Sequence, residues 1–314
     1  MTEDIKFSLI VPVYNVAQYL RRCLDSLARQ DYANYEVICI NDGSTDESPS
    51  ILAEYAAAPH FTIIHQENRG LGGARNTGLS HASGQYIWCI DSDDWIATDA
   101  LSRIYTAIKS REQTGVVMID MTKTYEDGSK KKLSVTRSFL PGEELTCWSL
   151  TRHLLLYEGL YAAQVRIFRA DIIKGFRFSD GFYEDIPLIT LFAKQDFPIV
   201  HLRGEVYYYF QRSGSIMKTV DRRILDVFRQ FRLVNDYLQD DSRYTALRAH
   251  FFYYLSAITY EKCLQCGDPS LQAEARRLFR EGKRGQASLW QVLRKTDITL
   301  RRKLKLVYYY FKMS

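Results

Sequence analysis

Residues 86–95 read Tyr86-Ile87-Trp88-Cys89-Ile90-Asp91-Ser92-Asp93-Asp94-Trp95, an apolar run of strand character that ends abruptly in three carboxylates. Carboxylates crowded at the end of a buried strand repel one another unless a cation or hydrogen-bond donors offset the cost. A hard divalent ion, magnesium or manganese, is the usual solution, because it takes oxygen ligands and shares its shell with substrate phosphates. The competing structural account is an Asx turn leading into a helix that starts near Thr98.

Strand character recurs upstream at Phe7 to Val13, Glu36 to Ile40 and Phe61 to His65. Between these runs, helical spacing extends from Ala17 to Gln30, and Ser44-Thr45-Asp46-Glu47 predicts a capping box for a helix through Ala57. Such alternation predicts an α/β fold with a doubly wound, mostly parallel central sheet, in which ligands bind beyond the carboxyl ends of the strands. Asp42 follows the second strand and Asp91 the fourth, so both are expected to face one crevice.

From Val116 the pattern changes. Val116 to Tyr125, a turn at Glu126-Asp127-Gly128-Ser129 and Leu133 to Arg137 predict a hairpin, a small antiparallel addition to the sheet. A helix near Glu143 to Tyr157, strands near Val165 to Arg169 and Glu205 to Phe210, and a helix opening at Asp185 with Pro187 in its first turn complete this part. After about Asp221 the spacing is helical, over Ile224 to Leu238, Tyr244 to Gln265, Leu271 to Arg280 and Thr299 to Lys312.

Gly70-Leu71-Gly72-Gly73-Ala74-Arg75-Asn76 invites comparison with a dinucleotide-binding turn, but G-x-G-x-x-G would need glycine where Arg75 stands, and the stretch follows the third strand. No phosphate loop of the G-x-x-x-x-G-K-[ST] type occurs. What remains is a glycine-rich helix start suited to holding an anion by backbone donors and a guanidinium, or simply to close packing.

With 46% hydrophobic and 25% charged residues in 314, the chain has the composition of a soluble globular protein able to bury a sizeable core. Its apolar runs are too short to cross a bilayer, and Met1-Thr2-Glu3-Asp4 lacks the character of a signal peptide, so a cytoplasmic location is expected. Six cysteines in so long a chain do not form a disulfide framework, and Cys263-Leu264-Gln265-Cys266 has no second pair to complete a zinc site. Net charge is +5, yet residues 271–314 carry 12 Lys and Arg against 3 Asp and Glu, leaving the rest of the chain net negative. That concentration points to a local anionic partner and away from nucleic acid.

In order along the chain, Val11-Pro12-Val13-Tyr14-Asn15, Asn41-Asp42-Gly43-Ser44-Thr45-Asp46, Asn68-Arg69-Gly70-Leu71-Gly72-Gly73-Ala74-Arg75-Asn76, Asp91-Ser92-Asp93-Asp94-Trp95, Tyr183-Glu184-Asp185 and the run Tyr207 to Ile216 resemble family 2 glycosyltransferases of the glycosyltransferase-A fold. The Q-x-x-R-W motif of processive members is absent, with Gln211-Arg212-Ser213 in the neighbouring position, so the resemblance is to non-processive, inverting enzymes of bacterial cell-envelope polysaccharide assembly. It implies a catalytic domain over 1–220, with a nucleotide-sugar-binding half at 1–115 and an acceptor-side half at 116–220, followed by a helical region at 221–314. It further implies that Pro12 and Tyr14 line the nucleobase pocket, that Asp42 accepts a hydrogen bond from the base, most often uracil, and that Asn68 belongs to the donor site. Asp91 would contact the ribose, and Asp93 would ligate a manganese or magnesium ion bridging the donor diphosphate. Arg75, Arg212 and Ser215 are candidates for phosphate contacts, and Asp94 could as plausibly cap the following helix as serve the acidic site.

Direct displacement at a sugar carbon needs one base for the acceptor hydroxyl, and Asp185 resembles the base of the family, with Glu184 as the alternate. On spacing alone, Asp185 could instead cap the helix it precedes. Leu300, Leu304, Val307 and Phe311 share a helical face flanked by Arg301, Arg302, Lys305 and Lys312. Residues 297–314 thus suit either an anionic membrane surface, with a lipid-linked saccharide as acceptor and a peripheral location, or packing against protein. A sugar-nucleotide pyrophosphorylase is the rival enzyme, but Tyr14-Asn15-Val16 stands where its activation loop would lie. A silent nucleotide-binding scaffold would be expected to lose Asp93 or Asp185.

Overall fold

The computed structural model describes residues 4–136, 139, 142–156, 161–212, 220–296 and 298–314. The expected strand end at Arg137, the expected helix end at Tyr157, Ser215 and position 297 lie outside these residues. In chain order the elements are β1 (Phe7–Val13), α1 (Ala17–Ala28), β2 (Tyr35–Asp42), α2 (Ser48–Tyr55), β3 (Phe61–Gln66), α3 (Gly70–His81), β4 (Tyr86–Cys89), β5 (Trp95–Ile96) and α4 (Ala100–Lys109). There follow β6 (Val116–Tyr125), β7 (Lys130–Leu133), α5 (Cys147–Leu156), β8 (Arg166–Arg169), α6 (Ala170–Ile173) and β9 (Ile199–Gln211). The chain closes with α7 (Asp226–Leu238), α8 (Thr245–Cys266), α9 (Pro269–Gly282), α10 (Leu289–Lys295) and α11 (Leu300–Met313).

One sheet runs in the order β3-β2-β1-β4-β8-β6-β9-β5, with β7 pairing off β6. β1 lies parallel to both β2 and β4, and β2 parallel to β3, so their carboxyl ends open on the same edge. β8 is antiparallel to β4 and to β6, while β9 runs parallel to β6 and antiparallel to β5. All seven residues of β1 are buried, which is why it reads as a continuous apolar run. Because side chains alternate across a strand, Phe7, Leu9, Val11 and Val13 join one core and Ile10 the other. The first core is closed by Leu20 and Leu24 of α1, Ile51 and Leu52 of α2 and Ile104 of α4. The second begins with Ala74 and Leu79 of α3 and continues without a break into Phe231 of α7, Phe251 and Phe252 of α8 and Phe279 of α9.

Several local expectations are corrected. Ser44 to Glu47 does not form a capping box, since Glu47 precedes α2 with no capping bond from its side chain. Asp46 instead accepts from Ser48 N at 2.9 Å and from Ala17 N at 2.9 Å, and so stitches the starts of two helices together. The hairpin pairs β6 with 130–133, ending where the second strand was expected to begin, because Thr124 pairs with Lys130 directly across the tight turn. The helix after Asp185 is a 3-10 segment, Ile186–Leu191, and α10 and β5 had no periodicity long enough to reveal them.

Candidate active site

The loops after β1 and β2 are bound into one wall. Asn15, with a positive φ of 48°, accepts from Thr45 N at 2.7 Å through its side chain and donates its backbone N–H to Ser44 Oγ at 3.1 Å. This leaves Tyr14 half exposed above the buried Pro12. Asp42 is buried at the end of β2 and accepts from Gln66 Nε2 at 2.6 Å and Arg69 N at 2.8 Å, both on Oδ1. Its Oδ2 has no hydrogen bond among the described residues and is available to a ligand. Gly43 follows with φ +73°, where a Cβ would stand 3.0 Å from Asn68 N, so the turn can pass Asn68 only as glycine. Asn68 is exposed and accepts from Gly70 N at 3.1 Å, closing the turn into α3.

The three carboxylates after β4 have separate surroundings. Asp94 is wholly buried and accepts from Tyr207 Oη at 2.6 Å and Phe210 N at 2.8 Å, joining β9 to the turn. It caps no helix, since Asp99 occupies the position before α4. Burial, followed by the charges of Asp93 and Asp91, pushes the Asp94 carboxyl well above its ordinary range. Asp93 faces Arg212 Nε at 3.0 Å, and burial with the neighbouring Asp91 charge raises its pKa despite that partner. The backbone of Asp93 accepts from Arg22 Nη2 at 3.1 Å, and Arg22 lies 3.8 Å over the Trp95 ring.

Asp91 accepts from Arg75 Nη2 at 2.9 Å, and the same guanidinium donates to Glu184 through Nη1. Burial works against the charge on Arg75, which is 2% exposed, but Asp91 and Glu184 outweigh it and hold its pKa above the usual arginine value. The expectation of a phosphate contact at Arg75 therefore meets a different arrangement: two carboxylates already occupy its terminal nitrogens. α3 can approach the 178–185 segment because Gly72 lacks a Cβ, which would stand 2.3 Å from Ser179 O. Asn76 fixes the contact by accepting from Phe178 N and donating to Phe178 O, both at 2.8 Å. From the other side, Asp226 of α7 accepts from Phe182 N at 2.9 Å, and Gln230 donates to Asp180 O at 3.1 Å and Phe182 O at 3.0 Å.

That clamped segment carries Glu184 and Asp185. Asp185 stands before the 3-10 turn but makes no capping bond with its side chain, so the capping account fails. Its carboxyl is pushed up to about 7, first by burial and then by the charge of Glu184, with Arg75 and Arg166 only partly offsetting both. A carboxyl poised near neutrality can accept a proton at working pH, as a general base must. The structure thus brings Asp91, Asp93, Arg75, Glu184, Asp185 and Arg212 into one neighbourhood, while Ser215 is outside the described residues. Asn76 and Tyr207 stood in the quoted motifs without a role, and Gln66 and Gln230 were not foreseen, because each acts through a partner distant in sequence.

Among the described residues, no group of three or more His, Cys, Asp or Glu is placed to hold a metal ion. The donors around Asp93 nonetheless fit a divalent ion completed by substrate oxygens. Its carboxylate is oxygen-only, sits beside Asp91, and has a pKa raised first by burial and then by the Asp91 charge, with Arg212 offsetting these only in part.

A mixed α/β sheet whose parallel strands β2 and β4 run into acidic turns is of the kind that binds ligands beyond the carboxyl ends of its strands. Residues 8–167, about half the chain, match the family described as glycosyl transferase family 2, and the chain belongs to that family. Glycosyltransferase GlyA of Streptococcus pneumoniae serotype 4 is 32% identical over 234 residues, which are 69% of this chain and 32% of GlyA. The chain therefore spans about a third of that relative's length. Among solved structures, S. aureus TarS 1–349 in complex with UDP-GlcNAc has a TM-score of 0.71 at 23% identity, covering 88% of this chain and 81% of the other. A mannosyltransferase from Pyrobaculum calidifontis, in complex with GDP-Man and Mn2+, has a TM-score of 0.54 at 17% identity over 99% of this chain and 88% of its own. The fold is the glycosyltransferase-A fold followed by a helical region.

Proposed function

We propose that this protein is an inverting, non-processive glycosyltransferase that moves a sugar from a UDP-sugar to a saccharide hydroxyl. The observation that carries the proposal is Asp185, a carboxyl pushed up to about 7, next in the chain to Glu184, which Arg75 ties to Asp91. Tyr14 and Pro12 would receive the base, with Asp42 Oδ2 accepting from it, and the free oxygen of Asp91 would take a ribose hydroxyl. Asp93 would hold a manganese or magnesium ion, whose chemistry is to neutralise the charge of the departing diphosphate. Arg212, which faces Asp93, would turn to a phosphate oxygen when an ion takes its partner. Asp185 would accept the proton of the attacking hydroxyl, and with no second carboxylate assigned as nucleophile the displacement is single and inverts the anomeric carbon.

The proposed acceptor is a lipid-linked glycan of envelope or exopolysaccharide assembly, met at the inner face of the plasma membrane. No helix among the described residues is long and apolar enough to cross a membrane, so such an encounter would be peripheral. The domain division proposed is catalytic over 1–220 and helical over 221–314. A screen of UDP-, GDP- and dTDP-sugars with manganese, read by nucleotide release, tests the proposal. Release from a UDP-sugar with a product of opposite anomeric configuration by proton NMR is expected. A product that keeps the donor's configuration would contradict the single displacement.

A further inference from the structure

The terminal helix α11 has two apolar faces. At about 100° per residue, Leu306, Tyr309 and Met313 fall on one side, and all three are buried. Leu300, Leu304, Tyr308 and Phe311 fall on the opposite side and are 72%, 62%, 52% and 66% exposed. The inner face is anchored by Lys305 Nζ to Glu261 at 2.6 Å and by Arg302 Nη1 to Leu156 O at 3.1 Å. Arg280 Nε also donates to Ser314 O at 3.0 Å. α11 is therefore a fixed part of the helical region, and its outer apolar stripe is presented in one orientation. The inner face meets the packing account posed by the sequence, and that packing leaves the outer stripe uncovered.

We infer that the outer stripe of α11 is a docking surface for an anionic lipid bilayer. Arg301 and Lys312 border the stripe on one side and Lys303 on the other, and no carboxylate pairs with any of the three among the described residues. An apolar stripe bordered by cations that no carboxylate neutralises, with Lys312 lying 4.8 Å over the Tyr308 ring, matches the acyl boundary below and the phosphate layer above it. The surrounding charge agrees, with 12 Lys and Arg against 3 Asp and Glu over residues 271–314 in a chain that is otherwise net negative. Pairing with a second copy through the same stripe would set Arg301, Lys303 and Lys312 against the cations of the other copy, with no opposing carboxylate on the stripe. The inference takes its purpose from the lipid-linked acceptor proposed above, while its geometry stands apart from that proposal.

The test is flotation of the full chain with phosphatidylglycerol vesicles and with phosphatidylcholine vesicles. The wild type is compared with Leu300→Ser/Leu304→Ser/Phe311→Ser and with Arg301→Gln/Lys303→Gln/Lys312→Gln. All six side chains lie outside the catalytic crevice, so hydrolysis of UDP-GlcNAc and the melting profile should be unchanged. The wild type should float with phosphatidylglycerol only, less so at high salt. The serine variant should lose flotation, and the glutamine variant should bind on the order of a hundredfold more weakly. A wild type that stays off phosphatidylglycerol at low salt, or a serine variant that floats as well as the wild type, overturns the inference. A dimer dissolved by the serine substitutions, without vesicle binding, overturns it in favour of a second copy. Flotation without UDP-GlcNAc hydrolysis would count against that donor and leave the surface standing, so the two failures are separable.

Discussion

The turn after β4 and the segment at 178–185 each place a carboxyl in a buried setting that raises its pKa, and they differ in what surrounds it. Asp94 is met by the Tyr207 hydroxyl and the Phe210 amide, and the result is a joint between a turn and a strand. Asp185 has no ion pair among the described residues, yet its flanks are fixed by Asn76, Asp226 and Gln230 on two different helices. Satisfied burial stabilises a fold, whereas a poorly compensated carboxyl held rigidly is poised for proton transfer. Arg75 connects the regions by bonding Asp91 in one and Glu184 in the other, so the proposed donor side and the proposed base are tied through one guanidinium.

Substitutions that separate the two roles should have graded effects. Asp185→Asn is expected to cost the most activity, lowering turnover about 10²- to 10⁴-fold while leaving UDP affinity within about twofold, the pattern of a group that acts in the transition state. Calorimetry with UDP beside a nucleotide-release assay reads both. Next, Asp93→Asn should weaken manganese-dependent UDP binding by roughly tenfold or more and remove most of the difference between titrations with and without the ion. An unchanged metal dependence would move the ion elsewhere. Tyr207→Phe deletes a hydrogen bond to a buried carboxylate and should cost about 1.5–3 kcal/mol of stability by urea denaturation. Its donor affinity should fall only as far as the turn loosens.

A smaller effect follows from linkage. The folded-state pKa of Asp185 lies above its unfolded value, so the folded protein binds the extra proton between about pH 4 and 7. That contribution to stability is present below this window and is lost as pH rises through it. Asp185→Asn should therefore melt above the wild type at pH 8, with the gap closing towards pH 5. A gap independent of pH would mean that Asp185 is not the group titrating.

Most of the parallel half of the fold was legible in the sequence. β1 to β4 are apolar runs separated by helical spacing, a local pattern that tertiary packing had no reason to override. The antiparallel half was legible only in part: β9 extends over 13 residues because it finds β6 as a neighbour, a pairing that no local signal encodes. The carboxylates themselves stood out in the sequence, but their division of labour did not. Asp94 became structural through Tyr207, 113 positions away, and Arg75 was drawn to Glu184, 109 positions away. Of the four residues that the period of α11 sets on one face, Leu300, Leu304 and Phe311 are exposed, whereas Val307 packs against the core, and the expected flanking cations Arg302 and Lys305 turn inward to Leu156 and Glu261.

The most direct test of the central claim, that Asp185 is a base with a pKa raised to near neutrality, is the pH profile of kcat/KM for UDP-sugar turnover at saturating manganese. The rate should rise about tenfold per pH unit below an inflection near 7 and level off above it, and Asp185→Asn should flatten that limb. An inflection near 4, or one that persists unchanged in Asp185→Asn, would contradict the assignment.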